Sequence, residues 1–376
     1  MKRYLKLSII RKLPLFVVLS VLFLAAAFFS TAEVSFERSY YGYGFIQMID
    51  SSCTASLLAF FFITMMVLPL FNMNYRYSLA KSDLYRQVGF KNNSIRIGEH
   101  LSTLITVCIS FTFSFAVLVS ILLFKNYTAK DPIGFLAYHW YIVLYFVALL
   151  VGAGQFFLSY LLVSRSNTFI NSAIMLFLGQ FFLNFFLFIC VSYIRCSVSD
   201  GTRFAEGPSI VGAIAWVSTL FNELICSNRI SFFETSDLES LALNLSAFWS
   251  TVVIFFSVAA LGVVAFILEK DPSSEWAGKP DTDKPYQEII YHAGFATIGL
   301  VIGTLLIESS LSLVFALLFY PIYIVSYYTF YGLLHRNFKL KARQAAILFG
   351  VGGGAIIFCI SYTIIRAIII AATVNG

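Results

Sequence analysis

Nine apolar runs, each about as long as a bilayer is thick, constrain this chain more than any other feature. A membrane's hydrocarbon core is crossed by a helix of about 20 mostly apolar residues. Windows of that kind fall at 14–31, 53–72, 101–124, 139–163, 168–194, 246–268, 289–307, 311–334 and 345–372. The expected fold is therefore all-α: a polytopic transmembrane helical bundle of about nine spans, within a range of eight to ten. Composition agrees. The chain is 59 % hydrophobic and 12 % charged, whereas soluble domains carry about 25 % charged residues. Many of its 21 tyrosines stand near the expected span ends, as in an aromatic belt.

Lysine and arginine set the orientation, because short cytoplasmic loops collect them. With the N-terminus inside, the inner segments hold Lys2, Arg3, Lys6, Arg11 and Lys12, then Arg76, Lys81, Arg86, Lys91 and Arg96. They also hold Arg165, Lys270, Lys279 and Lys284, and finally Arg336, Lys339, Lys341 and Arg343. That is 18 of the 25 basic residues. Nine spans then leave the C-terminus outside, and the protein is a multi-pass cell-membrane protein.

Residues 1–13 read as an amphipathic entry helix along the inner leaflet. Residues 14–194 form a first half of five spans, and 246–376 a second half of four. Between them, 195–245 is a long external loop. Within it, 210–226 is nearly apolar enough to enter the membrane, yet it holds Glu223 and is too short for a crossing, so a re-entrant or interfacial helix fits it. Ser30-Thr31-Ala32 resembles a signal-peptide cleavage site, but twelve residues with mixed apolar side chains precede the apolar run. An uncleaved first span fits better. Cys196 and Cys226 both fall in the external loop, where a disulfide is permitted but not required. The other cysteines lie in or beside spans, where a thiol behaves as a small hydrophobe.

The inner segment between the second and third spans, from Tyr75 to Lys91, is basic and amphipathic. Drawn as a helix over 77–91, it sets Tyr77, Lys81, Leu84 and Val88 on one face. Two readings fit that pattern. One is a rod that docks a cytoplasmic partner; the other is a connector lying on anionic lipid.

Little else in the chain suggests chemistry. There is no GxxxxGK[ST] phosphate loop, no HExxH, no GxSxG and no metal-spaced Cys/His cluster. The chain is not expected to be an enzyme by itself, and any ATP that drives it is hydrolysed elsewhere. No charge run could serve as a nucleic-acid arm. His100, His139, His292 and His335 all stand at expected span ends, in keeping with interfacial placement. Ionisable groups deep in a span are costly and usually functional, and the spans as drawn hold almost none. That argues against an ion-coupled secondary transporter, although Asp50, Glu223 and Glu308 near the outer side keep it open. Gly299 and Gly303 form a GxxxG, and Gly350 to Gly354 a small-residue surface. Both suit close helix packing, within the chain or between chains.

Three inner motifs together carry a resemblance. Ser82-Asp83-Leu84-Tyr85, with Arg86 and Lys91 around it, resembles the coupling helix of ABC-2 type ABC transporter permeases of Gram-positive bacteria. In that family a Leu-Pro turn follows, where this chain has Val88-Gly89. Residues 270–279 look like the family's Arg-x-Pro-Ser-Glu-x-Ala-Gly-Lys run, with one residue more before Glu275. Tyr331 to Lys339 is similar to its Tyr-x-x-basic-x-Phe stretch. The resemblance implies a permease subunit of an exporter, working with a separate ABC ATPase subunit that binds ATP and Mg. It also implies a second permease chain, identical or related. The docking contacts would come from Tyr77, Lys81, Asp83, Leu84, Tyr85, Arg86, Val88 and Lys91. Two other classes remain: an integral membrane enzyme of envelope glycan or lipid assembly, for which Asp200, Arg203, Glu206 and Arg229 are the candidate groups, and a secondary transporter.

Overall fold

The computed structural model describes residues 2–32, 36–41, 44–49, 55–77, 92–128, 139–196, 256–257, 259–268, 285–308, 313–339 and 342–374. Its helices are α1 (Lys2–Arg11), α2 (Leu13–Ala32), α3 (Ala55–Asn72), α4 (Asn92–Thr128), α5 (His139–Val163) and α6 (Phe169–Cys196), followed by α7 (Ala259–Leu268), α8 (Pro285–Glu308), α9 (Leu313–His335) and α10 (Ala342–Val374). The described residues of the nine apolar runs are helical, save Thr168, which precedes α6. Among the described residues, three helical stretches are long and apolar enough to cross a membrane: Leu13–Thr31, Ile95–Lys125 and Tyr145–Val163. Helices of this kind are compatible with a membrane protein, since each satisfies its own backbone polar groups in an apolar medium. Serine and threonine inside them return their hydroxyls to the carbonyl one turn back, as Thr106 does to Ser102 at 2.7 Å and Thr64 to Phe60 at 2.7 Å.

One element departs from the all-helical expectation. Between α2 and α3, strands β1 (Phe36–Tyr41) and β2 (Gly44–Ile49) form an antiparallel hairpin, in register from Phe36 opposite Ile49 to Tyr41 opposite Gly44. The interval is rich in aromatic and β-branched residues, which favour strands. Only two residues link the two strands, the commonest hairpin length. A second departure is α4, which starts nine residues before the span expected at 101–124. Asn92, Asn93 and Ser94 are N-terminal helix starters, and the turns that follow hold Ile95 and Ile97 as well as charges.

The chain divides into two compact units. In the first, α1 and α2 run parallel to α4. Ser20 meets Ser110 at 3.2 Å, and the Lys125 ammonium donates to the Thr31 carbonyl near the far end. The core here is aromatic. Phe61 stacks on Phe111 with centroids 4.0 Å apart, and Phe23 meets both edge-on. Gly152 of α5 lies against the Phe61 ring, and Gly262 of α7 against the Phe157 carbonyl. A side chain at either would hold the helices apart.

In the second unit, α8 packs on α6 and α10, with α9 beside them. Its core joins Ile174, Met175 and Leu178 to Tyr291, Phe295, Tyr323 and Tyr327. The close approach falls at Gly294, where a Cβ would sit 2.7 Å from the Leu178 Cβ and 2.9 Å from its carbonyl oxygen. Helix α9 ends where Arg336 turns to φ 51°, letting the Asn337 N–H reach back to the Gly332 carbonyl at 3.1 Å.

Candidate functional site

The strongest concentration of polar chemistry in the first unit lies where α1, the end of α3 and the start of α4 meet. Tyr4 and Ser8 of α1 and Lys12 in the turn that follows it recur every four residues and so share one face. On α4, Glu99, Ser102, Thr103 and Thr106 form a matching polar stripe. The two stripes pair along their length. The Tyr4 hydroxyl donates to Glu99 Oε1 at 2.8 Å, and Ser8 and Ser102 share a hydrogen bond at 2.7 Å.

The Lys12 ammonium closes the cluster. It lies 3.1 Å from Glu99 Oε2 and 3.0 Å from Asn72 Oδ1, and it also donates to Thr103 Oγ1. Thr103 in turn donates to Asn72 Oδ1 at 2.9 Å. Two helices, α3 and α4, thus supply three oxygens to one ammonium. The pair is nearly out of water: the Lys12 side chain is 14 % exposed and that of Glu99 7 %. Burial pulls the Lys12 pKa below its ordinary value of 10.5, and the neighbouring Glu99 carboxylate pulls it back up. Arg11, largely in solvent, stands 4.0 Å from Glu99 Oε1.

Beside the pair, the fully buried Arg96 sets its guanidinium 5.7 Å over the Phe266 ring, a cation–π contact. His100 is also buried, with Phe156, Tyr160 and Phe266 around its ring at 5.0–5.9 Å and its Nδ1 3.4 Å from Asn72 Nδ2. Arg96 and His100 are both buried, packed against rings that α5 and α7 bring over the early turns of α4. Tyr4 rests on Gly98, where a Cβ would meet its ring. Sequence reasoning passed over Glu99 altogether. The complementary spacing of Tyr4, Ser8 and Lys12 with Glu99 and Thr103 was the available signal.

The second unit holds a seam of tyrosine and histidine. Tyr291 donates to the Tyr327 carbonyl, His292 Nδ1 and the Tyr327 hydroxyl form a short hydrogen bond, and the Tyr323 hydroxyl donates to the Phe295 carbonyl at 2.8 Å. Tyr331 packs between the rings of His292 and His335. Phe338 covers Gly332 while itself half exposed; of the third motif, Tyr331, Gly332 and Leu334 are buried, and Arg336 to Lys339 are exposed.

Of the residues expected to dock a partner, Tyr77 is described: its ring meets Phe169 edge-on at 5.9 Å, within the second unit. Lys81, Asp83, Leu84, Tyr85, Arg86, Val88 and Lys91 lie outside the described residues, as do the 270–279 motif and the 210–226 segment. Neither the Cys196 side chain nor Cys226 is described. Of the glycines expected at helix contacts, Gly299 is buried, while Gly350 and Gly354 have nothing within 4 Å of an added Cβ. Among the described residues no group of three or more His, Cys, Asp or Glu could hold a metal ion. No protein-family model, no curated protein and no solved structure matches the chain.

Among the described residues the polar cluster holds no group of three metal-ligating side chains, and its bonds run between helices. One ammonium ties α1 to Asn72, the last residue of α3, and to Glu99 and Thr103 in the first turns of α4. In the sequence, those two helix ends stand on either side of residues 77–91.

Proposed function

We propose that this chain is the membrane permease subunit of an ATP-driven exporter of the ABC-2 type, crossing the membrane nine times from a cytoplasmic N-terminus to an external C-terminus. A separate ATPase subunit, carrying the ATP and Mg, docks on residues 77–91. A second permease chain completes the path. The observation that carries this reading is the clamp at the two helix ends. The segment enters from Asn72 and returns at Asn92, and both sides are bonded through Lys12 into one buried network. A load applied to the segment therefore reaches α1, α3 and α4 together. The motif resemblance and the basic, amphipathic character of 77–91 support the same reading.

Co-purification of the full chain with its partner in detergent, followed by an ATPase assay, tests it. Recovery of an ATPase whose association is lost in Leu84→Ala/Val88→Ala is the expected result. A double variant that still binds the ATPase and transports normally would refute the docking role.

A specific observation favours a second reading. The buried Glu99–Lys12 pair and Arg96 lie in or beside candidate spans, where ionisable groups mark ion pathways, so an ion-coupled secondary transporter is the alternative. Purification as a lone, ATPase-free protein whose transport follows a proton or sodium gradient would select it.

A further inference from the structure

Helix α1 is two-sided, and the side turned away from the Lys12 cage has no protein partner among the described residues. Leu7 is 56 % exposed and Ile10 60 %. Pro14, Val17 and Val21 are exposed as well. These five recur at intervals of three and four residues, so they form one stripe. The stripe crosses the α1–α2 junction without a break, because the helical hydrogen bonds persist there: the Lys12 N–H bonds to the Ser8 carbonyl at 3.1 Å, and the Phe16 N–H to the Lys12 carbonyl at 2.9 Å. Below the junction the stripe is the outward side of the candidate span Leu13–Thr31. The same surface that faces lipid on α2 therefore continues up one side of α1.

Charge identifies what covers the upper part. Lys6 and Arg11, both exposed, fall on opposite flanks of the stripe when α1 is drawn as a helix. An apolar stripe bordered by cations is the pattern of a helix lying in the headgroup zone, with its chains buried and its charges at the level of the phosphates. The opposite face is already fixed by Tyr4, Ser8 and Lys12 to Glu99, Ser102 and Thr103.

We propose that the outward face of α1, Leu7 and Ile10 between Lys6 and Arg11, is a docking surface for the anionic phospholipid headgroups of the bilayer. Headgroups held there press α1 onto α4 and keep the Lys12 ammonium seated among its oxygens. The proposal rests on α2 being a membrane span and not on the coupling of 77–91 to an ATPase, so either can fail without the other.

The test is hydrogen–deuterium exchange of the α1 amides in the full chain, reconstituted in nanodiscs of phosphatidylcholine alone or with phosphatidylglycerol added. Each basic residue near a negative surface contributes about a fivefold preference. Two of them should slow α1 exchange about 30-fold in the anionic discs, and added salt should erode the difference. Lys6→Gln, which lies outside the Lys12 cage, should cut the difference between the two lipid compositions about fivefold while leaving exchange in phosphatidylcholine unchanged. Equal exchange of the unaltered chain in both compositions would overturn the proposal. So would a difference that survives Lys6→Gln in full, or protection that tracks a bound protein partner and ignores lipid charge.

Discussion

Removing one partner of the Lys12–Glu99 pair should cost far more than its single ion-pair distance suggests. Both side chains are almost fully covered, and the ammonium is shared among Glu99, Asn72 and Thr103. Lys12→Met keeps the length of the chain and removes the charge. It leaves the Glu99 carboxylate buried, facing the Tyr4 hydroxyl and a guanidinium 4.0 Å away. Breaking a buried pair in this way costs about 3–5 kcal/mol, two to three orders of magnitude in the equilibrium for lifting α1 off α4. Glu99→Gln should cost a similar amount by stranding the ammonium. The double variant Lys12→Met/Glu99→Gln removes both charges and should recover about half of that loss or more, since an apolar or neutral replacement of a buried pair is often close to neutral. Hydrogen exchange of the α1 amides, with thermal melting in detergent as a second readout, gives the three differences for a double-mutant cycle. If the two single costs simply add to within about 0.5 kcal/mol, the residues act independently and the clamp as described does not exist.

The pH dependence of the same lysine has a definite sign. Its folded pKa lies below 10.5, so between the two values the unfolded chain binds more protons than the folded one. Stability owed to Lys12 should rise with pH through that window, and Lys12→Met should lose that slope in detergent melts. Gly294→Ala should destabilise the second unit by about 1–3 kcal/mol, because its methyl meets the Leu178 backbone; Gly350→Ala, with open space around it, should leave the melting temperature unchanged. Tyr327→Phe removes the hydroxyl bonded to His292 and should cost about 1 kcal/mol, read as a lower melting temperature with the fold intact by circular dichroism.

The apolar spans were legible because hydropathy over 20 residues is a property of the sequence alone. Packing is not. Gly294, outside the Gly299–Gly303 motif, makes a close approach in α8, since which side of a helix meets a neighbour depends on the neighbour. The polar cluster was hidden for a related reason. Read by charge, the run Ser94-Ile-Arg-Ile-Gly-Glu-His100 resembles a loop between spans. As the first turns of α4 it presents Glu99 and Thr103 to a second helix some ninety residues earlier in the chain. Only the pairing of two sparse stripes, each unremarkable alone, reveals why those charges are tolerated.

That pairing bears on what the cluster is for. A buried ion pair is a poor way to gain stability, because desolvating two charges offsets most of their attraction. A Leu–Leu contact between α1 and α4 would hold the helices at least as well. What the ion pair adds is position. Lys12 satisfies its oxygens in one arrangement of three helices, and a small shift of Asn72 relative to Glu99 breaks bonds to a charge that has nowhere wet to go. Such a site responds to movement in a nearly all-or-none way, where an apolar contact would slide. On the coupling role proposed for residues 77–91, a displacement of that segment would reach α1, α3 and α4 as a discrete rearrangement.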